Sequence, residues 1–111
     1  MHELAIMQSV VNIVEREAAR CGHVRVEAIK LRVGELSGIM PECLREFFPI
    51  AAAGSAAEGA RLDIEPLPAR ISCPDCGYDG PPSGTECPGC GGYAFRLTAG
   101  REFYVESMEV E

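Results

Sequence analysis

The chain of 111 residues predicts an α+β fold, with a small three-stranded antiparallel sheet, two helices, and a cysteine-bearing module inserted between the last two strands. Three observations predict it. Apolar residues recur at helical period near the amino terminus, short segments rich in β-branched residues alternate with charged ones, and four of the six cysteines crowd into one Pro- and Gly-rich stretch. One small core is the most that this length allows.

From Glu3 to Cys21, the residues Leu4, Met7, Val11, Val14, Ala18 and Cys21 recur every three or four positions, with Gln8, Asn12, Glu15, Arg16 and Arg20 off that face. This is an amphipathic helix stopped by Gly22, with His23 in its closing turn beside the negative end of the dipole. Val24 to Val33 reads as a strand, but its apolar parity changes between Ala28 and Ile29. The register is therefore set by Ile29, Leu31 and Val33, with a bulge or a late start near Glu27. A loop, Gly34-Glu35-Leu36-Ser37-Gly38, leads to Pro41 in the first turn of a second helix, which turns Leu44, Phe47, Phe48 and Ala51 inward and ends near Gly54. Pro49 lacks an N–H and crowds the carbonyl of Arg45, which predicts a kink or an early end there. Cys21 and Cys43 fall on the apolar helix faces and are expected to pack as small hydrophobes.

Ala60 to Glu65 and Phe103 to Val110 read as the remaining strands, with Glu65-Pro66-Leu67-Pro68 as a stiff hinge. If these two strands pair antiparallel, whatever lies between them is the tip of a hairpin. The expected organisation is one α/β domain made of residues 1–70 with 99–111, and an inserted module of residues 71–98.

Ten Lys and Arg against 17 Asp and Glu leave a formal charge of −7, which argues against nucleic acid or an anionic membrane as the main partner. The longest nearly apolar stretch, Phe47 to Ala57, contains Pro49 and Gly54 and falls short of the ~20 residues a bilayer span needs. Met1-His2-Glu3 offers no basic segment of the signal-peptide type, so a cytoplasmic location is expected. In that reducing compartment close cysteine pairs point to metal before disulfide. No nucleophile with a neighbouring base and no phosphate-binding loop is present, so the chain does not read as an enzyme.

The pairs are Cys73-Pro74-Asp75-Cys76 and Cys87-Pro88-Gly89-Cys90, a C-x2-C-x10-C-x2-C pattern. Two residues between thiols let a tight turn aim both sulfurs at one point, and two facing turns supply four tetrahedral thiolates, a set suited to Zn2+. Glycine follows each pair, at Gly77 and at Gly91-Gly92. The result is a module of zinc-ribbon or rubredoxin-knuckle type. Iron is the competing ion, but rubredoxin separates its pairs by a much longer segment, and this chain has no Trp. A site closed by four sulfurs has no position for water and does no hydrolysis. With so few aliphatic residues of its own, the module depends on the ion to fold. Asp75 and Asp79 read as solvated acids of the knuckles. On the cysteines alone, the rival functions are a zinc-ribbon interaction or nucleic-acid-binding module and a rubredoxin-like electron carrier.

At the amino terminus the α-amine of Met1, the backbone nitrogen of His2 and its imidazole can close two fused chelate rings on one ion. A d8 ion such as Ni2+ accepts such planar nitrogen donors, with Glu3 or Glu35 as a possible fourth. Met1-His2-Glu3-Leu4, Val33-Gly34-Glu35-Leu36-Ser37-Gly38 and the two CxxC pairs before a final strand together resemble the HypA/HybF family of hydrogenase-maturation nickel chaperones. The likeness covers nearly the whole chain in order. It implies nickel ligation by Met1, His2 and Glu3, zinc ligation by Cys73, Cys76, Cys87 and Cys90, and a structural role for Glu35. It also implies a HypB-type GTPase partner and a [NiFe]-hydrogenase large subunit as acceptor. Some relatives carry a nickel-assisting acid after the Gly-Glu motif, where this chain has Ile39-Met40-Pro41-Glu42. A module on hinges allows a monomer or a homodimer that exchanges segments.

Overall fold

The computed structural model describes residues 3–111. Their elements in order are α1 (Glu3–Arg20), β1 (Val26–Gly34), α2 (Pro41–Ala52), β2 (Arg61–Leu67), β3 (Arg70–Ser72), β4 (Asp79–Gly80), β5 (Arg96–Ala99) and β6 (Phe103–Val110). They form two three-stranded sheets, ordered β2-β1-β6 and β4-β3-β5, in a molecule measuring 53 × 25 × 16 Å.

Helix α1 buries Met7, Val10, Val11, Val14 and Ala18, the middle of the stripe expected from its sequence with Val10 added, while Leu4 is half-buried. Its end is closed by a Schellman pair of bonds, in which the His23 N–H donates to the Ala18 carbonyl at 2.9 Å and the Gly22 N–H to that of Ala19 at 3.2 Å. The closure turns the chain outward, so Cys21 is exposed rather than packed, and Cys43 is half-buried. The parity change in β1 resolves as a bulge: Ala28 and Ile29 are both buried, and the register against β6 shifts between Val26 and Ala28 and again between Lys30 and Leu31.

The expected all-antiparallel sheet is corrected to a mixed one. Strand β1 pairs antiparallel with β6 but parallel with β2, from Ala28 opposite Arg61 to Gly34 opposite Leu67. The cause lies between β1 and β2, where α2 carries the chain back across the sheet so that β2 re-enters in the direction of β1. The most apolar strand takes the centre, with Ile29 and Leu31 fully buried, and the strands flanking the cysteine segment lie on either side of it. The segment is therefore not the tip of a hairpin; it bridges the two edges of the first sheet. The expected hinge also shrinks, because Glu65, Pro66 and Leu67 belong to β2, where an edge strand tolerates the missing N–H of Pro66.

Both helices cover one face of this sheet, and Met7, Val14, Ile29, Leu31 and Leu44 are the largest side chains fully enclosed between them. Helix α2 runs through Pro49 to Ala52 without the predicted early end. Pro49 and Arg45 both sit on its exposed side. The uncovered face of the sheet carries charge. Lys30 reaches Glu65 at 2.8 Å and Glu106 at 3.4 Å, and Arg32 reaches the same two acids at 2.6 and 2.7 Å. These bonds favour the charged forms, led for Lys30 and Glu65 by the bond between them, so Lys30 titrates above and Glu65 below its ordinary range.

Candidate metal centre

Strand β3 is the centre of the second sheet and feeds directly into the first cysteine pair, while β5 returns the chain after the second. The two pairs fold as copies of one turn. The Gly77 N–H donates to the Cys73 carbonyl and the Gly91 N–H to that of Cys87, each at 2.8 Å. The N–H groups of Cys73 and Cys87 in turn donate to the carbonyls of Tyr78 and Gly92, at 2.8 and 2.9 Å. Gly77 and Gly91 close these turns at φ of 78° and 74°, a conformation that glycine adopts without steric cost.

The turns face one another and bring all four sulfurs within 4.8 Å. Across the gap, Cys73 Sγ lies 3.9 Å from Cys90 Sγ and Cys76 Sγ lies 3.6 Å from Cys87 Sγ. A tetrahedral ion with Zn–S bonds of ~2.3 Å requires edges of about 3.8 Å, so the donor set fits such an ion. Cys73 and Cys87 are 1% and 2% exposed, whereas Cys76 and Cys90 are on the surface. One side of the site is thus sealed by protein.

Without an ion the four thiols compete for protons. At Cys87 burial favours the thiol, but the N–H groups of Cys90 and Gly89, with help from the thiols of Cys76 and Cys73, outweigh it and bring the pKa down to about 7. At Cys76 the Tyr78 N–H favours the thiolate, yet burial and the neighbouring thiols prevail and push the pKa up to about 12. Gly89 is a site residue that the spacing did not reveal: a Cβ there would meet Cys76 Sγ at 2.8 Å. Only the folded approach of one knuckle to the other discloses that requirement.

Of the nickel residues expected at the amino terminus, Met1 and His2 lie outside the described residues, and Glu3 opens α1. The location of that opening is defined. The far half of α1 adjoins the start of β1 and the end of α2, where Glu15 Oε1 accepts the Ala56 N–H at 2.9 Å and Ala56 accepts that of Val26. Helix α1 therefore begins at the end of the sheet where β1 finishes, and the connections to the cysteine module leave from that same end. Glu35, also at this end, is engaged through Oε2 by the Ala69 N–H at 3.3 Å. Among the described residues no helix is long and apolar enough to cross a membrane.

Two small sheets, one covered by helices and one leading into two knuckles whose four sulfurs converge, define a protein with a four-cysteine candidate metal centre. The family model for hydrogenase/urease nickel incorporation metallochaperones, HypA, matches residues 1–110. The hydrogenase maturation factors HypA of Geobacter metallireducens and Geobacter sulfurreducens are 42% and 43% identical, each over the full length of both chains. The solution structure of the Ni metallochaperone HypA from Helicobacter pylori superposes with a TM-score of 0.71 at 24% identity, covering 99% of this chain and 97% of that one. A second HypA solution structure gives a TM-score of 0.77 at 23% identity, over 100% and 97% of the two chains. The chain belongs to the HypA family of nickel-incorporation metallochaperones, whose members are hydrogenase maturation factors.

Proposed function

We propose that this chain binds Ni2+ at its amino terminus and delivers it for maturation of a [NiFe]-hydrogenase, while one Zn2+ in the cysteine module holds its shape. The observation that carries this reading is Met1-His2-Glu3 leading straight into α1, in a chain that matches the family from residue 1 to 110. The amine of Met1, the backbone nitrogen and imidazole of His2, and Glu3 supply the nickel donors. A site of few ligands at a chain end binds reversibly and stays within reach of an acceptor's own ligands. Zinc, held by Cys73, Cys76, Cys87 and Cys90, supplies folding energy and no open coordination position. We assign residues 1–70 with 99–111 to the nickel-binding domain and residues 71–98 to the zinc module. A HypB-type GTPase and the hydrogenase large subunit are the expected partners, in the cytoplasm.

The test is nickel titration of untagged protein beside His2→Ala and beside protein whose Met1 α-amine is acetylated. Each change removes one nitrogen donor of the fused chelate and should weaken binding at least tenfold. Equal tight binding by all three proteins would exclude the terminal site.

A further inference from the structure

The two sheets are joined covalently at only two places, Pro68-Ala69 between β2 and β3, and Gly100-Arg101-Glu102 between β5 and β6. Two such short links would permit the second sheet to swivel about the first. A third segment, the end of β1 and the two residues beyond it, holds both links. The Gly34 N–H donates to the Glu102 carbonyl and the Leu36 N–H to the Gly100 carbonyl, each at 2.6 Å, and the Glu35 N–H donates to the Leu67 carbonyl at 2.8 Å. The Glu35 carboxylate then accepts the N–H of Ala69, a residue only 2% exposed.

The backbones meet too closely here for side chains. A Cβ on Gly34 would lie 2.8 Å from the Arg101 nitrogen and against the Gly100 carbonyl, and one on Gly100 would lie 2.9 Å from the Ala69 Cα. The second link is further stiffened by Glu102, whose Oε1 accepts the Gly100 N–H at 2.6 Å. Its own N–H and those of Gly100 and Arg101 hold its carboxyl below the usual range.

We propose that Gly34-Glu35-Leu36 is a joint that fixes the orientation of the cysteine module relative to the helical layer, and that Glu35 is a positioning residue within it through its bond to Ala69. The joint lies between β3 and β5 on one side and the segment that leads into α2 on the other. The Glu35 carboxylate takes part in the joint through Oε2. The inference does not rest on nickel binding.

The experiment compares wild type, Glu35→Ala, Glu35→Gln and Gly34→Ala, all full-length, loaded with Zn2+ and free of nickel. Residual dipolar couplings report whether the two sheets share one alignment, and amide exchange reports the Ala69 N–H. Wild type should fit a single alignment tensor. In Glu35→Ala the module's tensor magnitude should fall to half or less of that of the first sheet, with Ala69 exchanging about tenfold faster, while one zinc per chain and the signals of α1 are retained. Glu35→Gln keeps an acceptor oxygen and should stay within about twofold of wild type. Gly34→Ala should loosen the module at least as far; Glu35→Ala decides the matter if that variant does not fold. Wild-type alignment and Ala69 protection in Glu35→Ala would overturn the proposal, as would equal loosening in Glu35→Gln. Neither readout involves nickel, so failure of the terminal chelate would leave this result standing.

Discussion

Gly89→Ala adds one methyl group and should damage the metal site more than its size suggests. Its Cβ would stand 2.8 Å from Cys76 Sγ and 3.1 Å from Tyr78 Cβ, where ordinary contact begins at 3.4 Å. Either the sulfur retreats by about 0.6 Å, several times the ~0.2 Å that metal–ligand distances tolerate, or the second knuckle backs away and lengthens the 3.6 Å Cys76–Cys87 edge. Overpacking of this kind costs about 1–3 kcal/mol. At about 1.4 kcal/mol per tenfold, zinc should bind roughly 5- to 150-fold more weakly. Competition with a chromophoric chelator measures this directly. Gly92→Ala is the matched control, since its Cβ would meet Cys90 Sγ at 3.4 Å, and it should stay within about threefold of wild type. Wild-type affinity in Gly89→Ala, or equal losses in both variants, would refute the reasoning.

Removing zinc with a strong chelator should collapse the amide dispersion of residues 71–98 while α1 and the first sheet keep theirs, a difference visible in heteronuclear NMR spectra because only the module lacks an apolar core. Nickel affinity should fall by about five orders of magnitude between pH 7.5 and 5.5, since an α-amine titrating near ~7.7–8, an imidazole near ~6.5 and the His2 backbone amide must all lose protons to bind; calorimetry across that range checks it. Glu106→Gln removes one of the two charged partners of Lys30 and Arg32 on the open face of the sheet. Denaturant unfolding should show a small loss of stability that shrinks further in 1 M salt.

The elements were legible in the sequence wherever a local rule applied. Period and a terminal glycine placed α1, the parity change at Ala28 and Ile29 announced the bulge in β1, and the doubled CxxC spacing announced four converging sulfurs. Of the two outcomes expected at Pro49, the early end did not occur, since α2 continues to Ala52. Cys21 misled because helical period says nothing about how the closing turn directs the chain.

The sequence by itself determined the chemistry of this protein: a Met1-His2-Glu3 start, four thiols in two knuckles, and the motifs that resemble the HypA/HybF family. These are local properties, in which a donor set depends on residue types a few positions apart. Tertiary structure alone decided that β1 lies between β2 and β6, that Gly89 must leave room for Cys76, and that Gly34-Glu35-Leu36 grips both links to the cysteine module. Each of those is a contact between segments from 13 to 84 residues apart along the chain, from Cys76 with Gly89 to Val26 with Val110 in β6 at the widest. Such a contact depends on how the whole chain closes its loops and buries its core, and no window of sequence spans it.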